Sequence, residues 1–421
     1  MRKKKKVLGI KHFKISKVLY LTICWTILAT LYLSLATIVL GSTTISDSEE
    51  EDSDLHNIYQ VETVAGTGFQ GARDGLFAQL NLPMSIWSGA DGYLYVADTY
   101  NNLIRRISPG GIVSRFAGSI IDFDEHRFPK GYLKDGDAEE ARFNRPTGGV
   151  FDSDGRLFVS DSRNHTIRMI ENGKVFSFAG CGTPGFQDGE DAQFDHPHAI
   201  DIDGEGYLYI ADTFNHAIRK IDPNGNVTTI AGVPKEAGFN DGYADEALFN
   251  YPMGIAVSED GSRIYIADTG NHLIRVIEDG KVRTLAGTLL FPEDIEWENE
   301  DGEWADEPIG GFSDGLEAMF NLPIGLTFIG DVLIVADMAN HSIRAIVPNG
   351  EVFTLAGTGY SDYKDGYAEE SAFHLPHCVY AAGDALYIVD TGNSMIRRML
   401  ITEELRYLRQ NIVIRIYYNE P

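Results

Sequence analysis

Cysteine is scarce in this sequence, which has three cysteines among 421 residues. Cys24 lies in a long apolar run, so only Cys181 and Cys378 are left for the rest of the chain. Two cysteines cannot form the disulfide framework on which small secreted domains depend. The sequence also contains no CxxC pair, no HExxH segment and no phosphate-binding loop. The fold must therefore be stabilised by buried apolar surface, and the enzyme classes that use those motifs are excluded.

Positive charge is scarce beyond the N-terminus. The chain has 35 Lys and Arg against 62 Asp and Glu, which gives a net charge of −27. Eight of the basic residues and no acidic residue lie in residues 1–18, so the rest of the chain carries −35. A body this acidic repels phosphate backbones, so nucleic-acid binding, including RNA binding, is disfavoured.

Long apolar runs are absent except for residues 19–40, which are 22 positions without a charge. About 20 apolar residues cross a bilayer as a helix, and the basic flank stays on the cytoplasmic side. We expect a cytoplasmic tail at 1–18, a single-pass signal-anchor helix at 19–40, an acidic linker at 41–60 and an extracytoplasmic remainder. The alternative is secretion after cleavage of a signal peptide near residue 41.

A hairpin motif occurs six times in the rest of the chain. In LYIADTFNHAIRKI (208–221) it brings together an acid, an amide, an imidazole and a cation, as a catalytic cluster would. Because an active site normally occurs once, we interpret the motif as the turn of a repeated unit, in which Asp and Asn bond nearby backbone groups. The other copies are LYVADTYNNLIRRI (94–107), LFVSDSRNHTIRMI (157–170), IYIADTGNHLIRVI (264–277), LIVADMANHSIRAI (333–346) and LYIVDTGNSMIRRM (386–399).

A second motif, VETVAG at 61–66, also occurs six times, but it opens the series, whereas the hairpin at 386–399 ends it. Joining the two ends completes a ring in which the N-terminal strand finishes the last unit, and such closure protects sheet edges. The tail 401–421 is left over, and we expect its segment NIVIRIYY (411–418) either to pair as an extra strand or to compete for the closing position.

The triplet Asn271-His272-Leu273 and the matching flanks of all six copies closely resemble NHL-repeat β-propellers, over about residues 61–400. The resemblance implies an all-β, TolB-like propeller of six blades, which we expect to follow the transmembrane helix at 19–40. Propellers have many functions, so the fold does not choose among them.

A proline begins the innermost strand that we predict for each blade, where a missing N–H is tolerated. The residue after each proline should face the central channel. His198 and His377 then lie in opposite blades across the channel, and with His196 and His374 they are candidate metal ligands. The six channel positions are Met84, Thr147, His198, Met253, Ile324 and His377.

The Pro-His strand starts resemble those of the peptidyl-hydroxyglycine amidating lyases, which are six-bladed relatives. That resemblance implies a catalytic zinc held by three histidines from alternating blades. Here Met84 and Ile324 occupy the blades that alternate with that of His198, and His377 has no histidine partners either. We therefore expect hydrogen-bonded histidines that line a wide channel.

Two insertions interrupt the repeat, at 119–134 in blade 2 and at 289–310 in blade 5. The second is rich in acids and contains two tryptophans, which are frequent anchors in interfaces. We predict that it contacts a protein or small-molecule ligand through Trp297, Trp304, Glu298 and Asp301. Carboxylates could also hold Ca²⁺, although no EF-hand spacing is present.

These observations favour a binding or scaffold module over an enzyme, because the repeats are explained structurally and no complete catalytic set remains. The alternative is a propeller hydrolase or lyase with Ca²⁺ or Zn²⁺ at the central channel.

Overall fold

The computed structural model describes residues 60–291 and 308–401. Within these ranges the chain forms 27 strands, arranged in six sheets of four or five strands each. Each sheet is antiparallel and forms one blade of a six-bladed β-propeller. The predicted all-β propeller is thereby confirmed.

Blades 1 to 3 follow one another along the chain, and the first long strand of each is the innermost. The first strand of the described chain, β1 (Gln60–Ala65), belongs to blade 6 instead. Blade 1 contains β2 (Ser85–Ser88), β3 (Leu94–Asp98), β4 (Leu103–Ile107) and β5 (Val113–Ala117). Blade 2 contains β6 (Gly136–Asp137) at its outer edge, β7 (Pro146–Phe151), β8 (Leu157–Asp161), β9 (Thr166–Glu171) and β10 (Lys174–Ala179). Blade 3 contains β11 (Pro197–Ile202), β12 (Leu208–Asp212), β13 (Ala217–Ile221) and β14 (Val227–Ala231).

Blades 4 to 6 repeat the same plan. Blade 4 contains β15 (Gly242–Tyr243) at its outer edge, β16 (Pro252–Val257), β17 (Arg263–Asp268), β18 (Leu273–Glu278) and β19 (Lys281–Ala286). Blade 5 contains β20 (Pro323–Ile329), β21 (Val332–Asp337), β22 (Ser342–Ile346) and β23 (Val352–Ala356). Blade 6 contains β24 (Gly366–Tyr367), β25 (Pro376–Ala382), β26 (Ala385–Asp390) and β27 (Met395–Leu400). Short 3-10 turns join the second and third long strands of blades 1 to 5, at Thr99–Asn101, Ser162–Asn164, Thr213–Asn215, Thr269–Asn271 and Met338–Asn340.

Strand β1 closes the ring. It pairs with β27, with Val61 opposite Met399, and its other edge pairs with β24, with Val61 opposite Gly366. Val61 is only 1% exposed and packs in a core cluster with Phe373 and Leu386. The earliest described strand therefore completes the last blade.

The apolar cores lie between neighbouring blades rather than within one. Trp87 and Tyr95 of blade 1, for example, share a cluster with Phe143 and Leu157 of blade 2. A single sheet has two faces, and in a ring each face is covered by the adjacent blade. Strand β12 is accordingly buried at every position, because its alternate side chains enter two different cores.

The repeated Asp and Arg of the hairpin motif form a buried ion pair in every blade. In blade 3, Asp212 Oδ2 accepts hydrogen bonds from Arg219 Nη1 at 2.6 Å and from Asn215 Nδ2 at 2.8 Å. Arg219 Nη2 donates to Asp188 Oδ1 at 2.7 Å, and Asp212 Oδ1 accepts the backbone N–H of Asp195 at 2.8 Å. The cluster thus ties the hairpin to the preceding loop, which gives it a structural role. The equivalent pairs are Asp98–Arg105, Asp161–Arg168, Asp268–Arg275, Asp337–Arg344 and Asp390–Arg397.

The residue that ends each hairpin turn links its blade to the next. In blade 3 this residue is His216, which has a φ of +52° and whose Nδ1 accepts the backbone N–H of Tyr251 at 3.1 Å. Accepting this bond requires an unprotonated Nδ1, and burial lowers the pKa of His216. The histidine of the motif therefore holds neighbouring blades together. The other such pairs are Ser394–Leu82, Asn102–Arg145, His165–His196, His272–Leu322 and His341–Leu375.

Several predictions concern residues outside the described ranges. They are the cytoplasmic tail (1–18), the transmembrane helix (19–40), the linker (41–60, of which only Gln60 is described), the tail beyond Ile401, and Trp297, Glu298, Asp301 and Trp304. Within residues 60–291 and 308–401, none of the helices has the length and apolar character needed to span a membrane.

Candidate ligand site in the central channel

The innermost strands of the six blades enclose a cavity of about 330 Å³ on the propeller axis. Cavities that bind small molecules usually measure about 300–1,000 Å³, so this one accepts a compact ligand. Five of the repeated prolines begin the innermost strand of their blade as predicted, whereas Pro83 precedes β2, which begins at Ser85. All six residues that follow these prolines line the cavity, namely Met84, Thr147, His198, Met253, Ile324 and His377.

His198 and His377 meet inside the cavity, with ring centroids 5.0 Å apart. His198 Nδ1 lies 3.0 Å from the carbonyl oxygen of Met253, and His377 Nδ1 lies 2.9 Å from that of Met84. Because a carbonyl oxygen only accepts, both Nδ1 atoms carry the proton and donate. Both Nε2 atoms therefore keep a lone pair, and neither has a hydrogen-bond partner in the described part of the chain.

The channel is narrower than the sequence suggested, because glycines let neighbouring inner strands approach closely. A Cβ at Gly148 would lie 2.5 Å from the carbonyl oxygen of His198, and one at Gly325 would lie 2.5 Å from Cys378 Cα. A Cβ at Gly254 would overlap the carbonyl oxygen of Ile324. The expectation of a wide channel was therefore wrong, and imidazoles from opposite blades are in contact.

Both channel imidazoles are neutral at physiological pH. Burial lowers the pKa of His198 to about 4, although its hydrogen bond to Met253 acts in the opposite direction. Burial, together with the nearby His198, lowers the pKa of His377 to about 3. Neutral imidazoles with free Nε2 atoms accept hydrogen bonds or bind a metal ion.

The cavity wall also includes a partly buried acid and a buried indole. Asp201 Oδ2 accepts the backbone N–H of Val257 at 2.7 Å, and burial raises the pKa of Asp201 to about 6. Trp87 is 2% exposed, and its Nε1 has no hydrogen-bond partner among the described residues. The lining therefore combines hydrogen-bond acceptors and apolar surface, as small-molecule sites do.

Two of the candidate metal ligands lie elsewhere. The ring of His196 contacts those of His165 at 4.7 Å and Phe214 at 4.3 Å, and the ring of His374 lies 5.9 Å from that of His341. Neither His196 nor His374 lines the cavity. The structure thus brings together His198 and His377 but not the full set of four.

Within the described residues, one group of three potential metal ligands occurs, formed by His165, Asp195 and His196. Sequence reasoning named His196 as a candidate ligand but missed His165 and Asp195, although Asp195 stands where four other blades have Asn. His165 Nδ1 already accepts the backbone N–H of His196 at 3.2 Å, and His196 Nδ1 lies 2.8 Å from Asp195 Oδ1. The first of these bonds joins blades 2 and 3, so the group is explained as part of the framework.

The segment GFSDG at 311–315 has the Gly-x-Ser-x-Gly spacing of a hydrolase nucleophile elbow. Here it is a copy of the repeated loop. Ser313 Oγ donates to the carbonyl oxygen of Glu317 at 3.3 Å, and the carbonyl oxygen of Ser313 accepts from Arg344 Nη2 at 2.6 Å. The bond from the motif arginine recurs in the other five blades, so the segment is part of the framework.

The NHL repeat family model matches residues 143–168 and 249–277, which contain the hairpin turns of blades 2 and 4. The chain contains NHL repeats. These are the repeats whose buried Asp–Arg pair and interblade histidine are described above.

Three curated relatives illustrate how the NHL region occurs in other proteins. SUPPRESSOR OF QUENCHING 1, a chloroplastic protein of Arabidopsis thaliana, is 30% identical over 63% of this chain and 26% of its own length. NHL repeat-containing protein 2 of Homo sapiens is 29% identical over 52% of this chain and 35% of its own length. Teneurin-3 of Danio rerio is 27% identical over 80% of this chain and 13% of its own length. The chain thus spans about a third or less of each relative.

Solved structures support the fold. An auxiliary nutrient binding protein from Bacteroides ovatus has a TM-score of 0.57 and 16% identity, over 81% of this chain and 76% of its own. A gluconolactonase from Xanthomonas campestris has a TM-score of 0.51 and 12% identity, over 86% of this chain and 98% of its own. At such low identity the likeness shows the propeller fold alone.

The depressed pKa values of the channel histidines predict a dependence of stability on pH. The pKa of each is about 6.5 in an unfolded chain, so their neutral state stabilises the fold fully above pH 6.5. This stabilisation is lost as the pH falls toward the folded values of about 4 and about 3. Between pH 6.5 and pH 4, the free energy of unfolding of His377→Asn should fall less steeply than that of the unmodified protein. The two slopes should differ by on the order of 1 kcal/mol per pH unit.

Chemical denaturation at several pH values measures this difference. The control is His126→Asn, because the side chain of His126 is 73% exposed, and this variant should follow the unmodified protein. Equal pH dependence in His377→Asn and the unmodified protein would show that the channel imidazole does not resist protonation.

Proposed function

We propose that the chain is a binding module whose propeller takes a small molecule in its central channel. In this proposal the module is held on the extracytoplasmic side of a membrane by residues 19–40. The alternative of a secreted form applies if the chain is cleaved near residue 41. The insertion at 289–310, which contains Trp297 and Trp304 and which we call the acidic tryptophan segment, supplies a second contact surface for a protein partner.

The proposal rests on the positions at which the six blades carry different side chains. The Asp–Arg pairs and interblade hydrogen bonds recur around the ring, so they build the framework and leave little that is specific to this chain. The channel positions, by contrast, hold two imidazoles, two thioethers, one hydroxyl and one aliphatic side chain. These side chains enclose a volume of ligand size, and the two free Nε2 atoms accept hydrogen bonds from whatever enters.

A channel-filling variant tests this proposal. Met253 lines the cavity and is only partly buried, so Met253→Trp should fill the channel, whereas Met253→Leu should preserve it. The full-length protein is screened by saturation-transfer NMR against soluble amino acids, sugars and carboxylic acids. We expect ligands that bind the unmodified protein and Met253→Leu but bind Met253→Trp at least tenfold more weakly. Ligands that bind all three proteins equally would contradict channel binding.

A second candidate function is a metal-dependent hydrolase or lyase. The contact between His198 and His377 favours it, because two neutral imidazoles with free Nε2 atoms face the same space. A catalytic zinc usually has three protein ligands, and among the described residues the channel contributes two histidines. The remaining channel groups that could donate are Cys378, whose thiol pKa is raised by burial, and Asp201. This candidate is therefore less well supported.

Elemental analysis distinguishes the two candidates. The full-length protein is dialysed without chelator and compared with the double variant His198→Asn, His377→Asn. Stoichiometric zinc or another transition metal that is lost in the double variant would favour the enzyme. The binding proposal predicts equal, substoichiometric metal in both samples.

The proposed partner surface is tested separately, because its residues lie outside the described ranges. Deleting 291–308 from the full-length protein should abolish the capture of protein partners that the unmodified chain retains. Capture of the same partners by both forms would remove the acidic tryptophan segment from the proposal.

A further inference from the structure

Asp201 is an acid in the channel lining that has no basic partner. It lies on β11, the innermost strand of blade 3, and is partly exposed. Its Oδ1 accepts the backbone N–H of Ile202 at 2.9 Å and its Oδ2 that of Val257 at 2.7 Å, but among the described residues it forms no ion pair. Within the described part of the chain, no Lys or Arg lines the cavity. The channel therefore contains a negative charge that the protein itself does not neutralise.

The hydrogen bond from Asp201 to the next blade does not require a charge. Thr327 occupies the equivalent position in blade 5, four residues after the repeated proline. Its Oγ1 accepts the backbone N–H of Ala381 in blade 6 at 3.2 Å, and Ala381 is the equivalent of Val257. A neutral hydroxyl thus makes in blade 5 the bond that a carboxylate makes in blade 3. Because an unpaired charge is costly away from water, the acid at 201 is better explained by what enters the channel than by the framework.

The two channel imidazoles supply acceptors elsewhere in the same cavity. His198 and Asp201 are three positions apart on β11, which corresponds to at most about 10 Å along the strand. The pairing of β11 is irregular between Pro197 and Ile200, and such a bulge re-aims side chains that would otherwise point to opposite faces. The Nε2 atoms of His198 and His377 have no partner among the described residues, and neither atom is sealed from the cavity.

The carboxylate and the imidazoles do not converge on a single point. Among the described residues, one group of three potential metal ligands has its atoms within 4.8 Å of one another, and that group lies outside the channel. Asp201 and the two histidines would therefore contact different parts of one elongated ligand. The lining between them includes small residues, such as Ala199 and Gly254, which leave room for an aliphatic chain.

We propose that the channel binds a linear organic cation that carries a second hydrogen-bond donor, such as an alkyl diamine or an amino alcohol. The ammonium group pairs with the carboxylate of Asp201, and the second donor bonds to the Nε2 atoms of His198 and His377. An anionic ligand is disfavoured because no basic side chain of the described lining compensates its charge, and the net charge of −27 acts in the same direction. This inference deepens the proposed channel function and rests on it.

Four probes of similar length separate the parts of such a ligand. Cadaverine carries two amines, pentylamine carries one, pentanol carries a hydroxyl alone, and pentanoate carries a carboxylate. Isothermal titration calorimetry on the full-length protein at neutral pH should show cadaverine binding at least tenfold more tightly than each of the other three probes. Pentanol or pentanoate that binds as tightly as cadaverine would overturn the proposal.

Variants of Asp201 test the ammonium contact. Asp201→Thr removes the charge but keeps an acceptor, as Thr327 does in blade 5, so it should fold and should bind cadaverine and pentylamine at least tenfold more weakly. Asp201→Asn is a second neutral variant for the case in which threonine disturbs β11. Glu205→Gln is the matched control, since Glu205 is an exposed acid in the turn after β11 and does not line the cavity. Unchanged affinities in both neutral variants, or an equal loss in Glu205→Gln, would overturn the assignment.

A variant of His198 tests the other end of the ligand. His198→Phe keeps a flat ring but removes the Nε2 acceptor. It should lower the affinity for cadaverine toward that for pentylamine, while the affinity for pentylamine stays unchanged. An unchanged ratio of the two affinities would contradict the contact between the second donor and the imidazoles.

Titration with Zn²⁺ and with Ca²⁺ tests whether the unpaired acid serves a metal ion instead. We expect neither ion to compete with cadaverine. A metal ion that displaces cadaverine, and whose binding is lost in Asp201→Thr, would overturn the proposal.

The channel-filling variant distinguishes failure of this inference from failure of the proposed function. A ligand from the screen that is lost in Met253→Trp but retained in Asp201→Thr, with no amine bound, contradicts the cation and leaves channel binding in place. If no ligand, cadaverine included, distinguishes Met253→Leu from Met253→Trp, channel binding fails and this inference fails with it.

Discussion

Replacing Arg219 by methionine is expected to lower the free energy of unfolding by about 3–5 kcal/mol, because the change strands a buried acid without its partner. Arg219 is completely buried, as is the side chain of Asp212 with which it pairs. Burial already raises the pKa of Asp212 to about 6, against the effect of Arg219. Without the guanidinium this pKa rises further above the unfolded value, so the deficit in stability should grow as the pH is raised from 5 to 8.

The matched control is Arg263→Met. Arg263 Nε lies 2.6 Å from Glu278 Oε1, but its side chain is 55% exposed. Exposed ion pairs contribute about 0–1 kcal/mol, so this variant should remain within 1 kcal/mol of the unmodified protein. Urea denaturation measures the free energy of unfolding of Arg219→Met and Arg263→Met. A similar small loss in Arg219→Met would show that the repeated pair is not part of the framework and would reopen a catalytic role for it.

Replacing Val61 by aspartate is expected to open the ring. The change buries a charge without a partner in the core cluster of blade 6, which should destabilise the fold by about 3 kcal/mol or more. Because β1 is the outer long strand of blade 6 and pairs with both β27 and β24, amides in these three strands should lose protection against hydrogen exchange first.

The neighbouring Gln60 provides the control, since it lies in the same strand with its side chain exposed. Gln60→Asp should change the free energy of unfolding by less than about 0.5 kcal/mol. If Val61→Asp exchanged no faster than Gln60→Asp in β27, strand β1 would not be what closes the propeller in solution.

The architecture was predictable because the same sequence motifs recur in every blade. Six copies of the Asp–Arg hairpin gave the number of blades, and the displaced VETVAG motif at 61–66 placed β1 beside β27. The channel positions followed from the six repeated prolines, since every residue after one of them lines the cavity.

The geometry of the site was not predictable, since it depends on how closely different blades approach. Beside His198 and His377 the inner strands approach closely at Gly148 and Gly325, where a Cβ would meet the carbonyl oxygens of the two histidines. No local sequence pattern reveals that distance. The role of the motif histidine was hidden for the same reason. Nδ1 of His216 accepts a hydrogen bond from the backbone N–H of Tyr251, which is 35 residues away in the next blade.

The stacking of the Arg145 guanidinium on the ring of Tyr100, at 3.3 Å, was likewise not predictable from local sequence patterns. These residues belong to different blades, and the insertion at 119–134 adds Phe128 to the same stack. The sequence showed that the repeat is interrupted there, but the interruption became informative only when the neighbouring side chains were located.

The central claim is that the repeated clusters build the propeller and that the channel is where a ligand binds. Histidine-ring NMR on the full-length protein tests this claim most directly, using the ligand that shows the largest difference between Met253→Leu and Met253→Trp. We predict that adding this ligand shifts the ring signals of His198 and His377, while those of His216, His272 and His341 stay in place. Shifts confined to the interblade histidines, with the two channel rings unaffected, would contradict the claim.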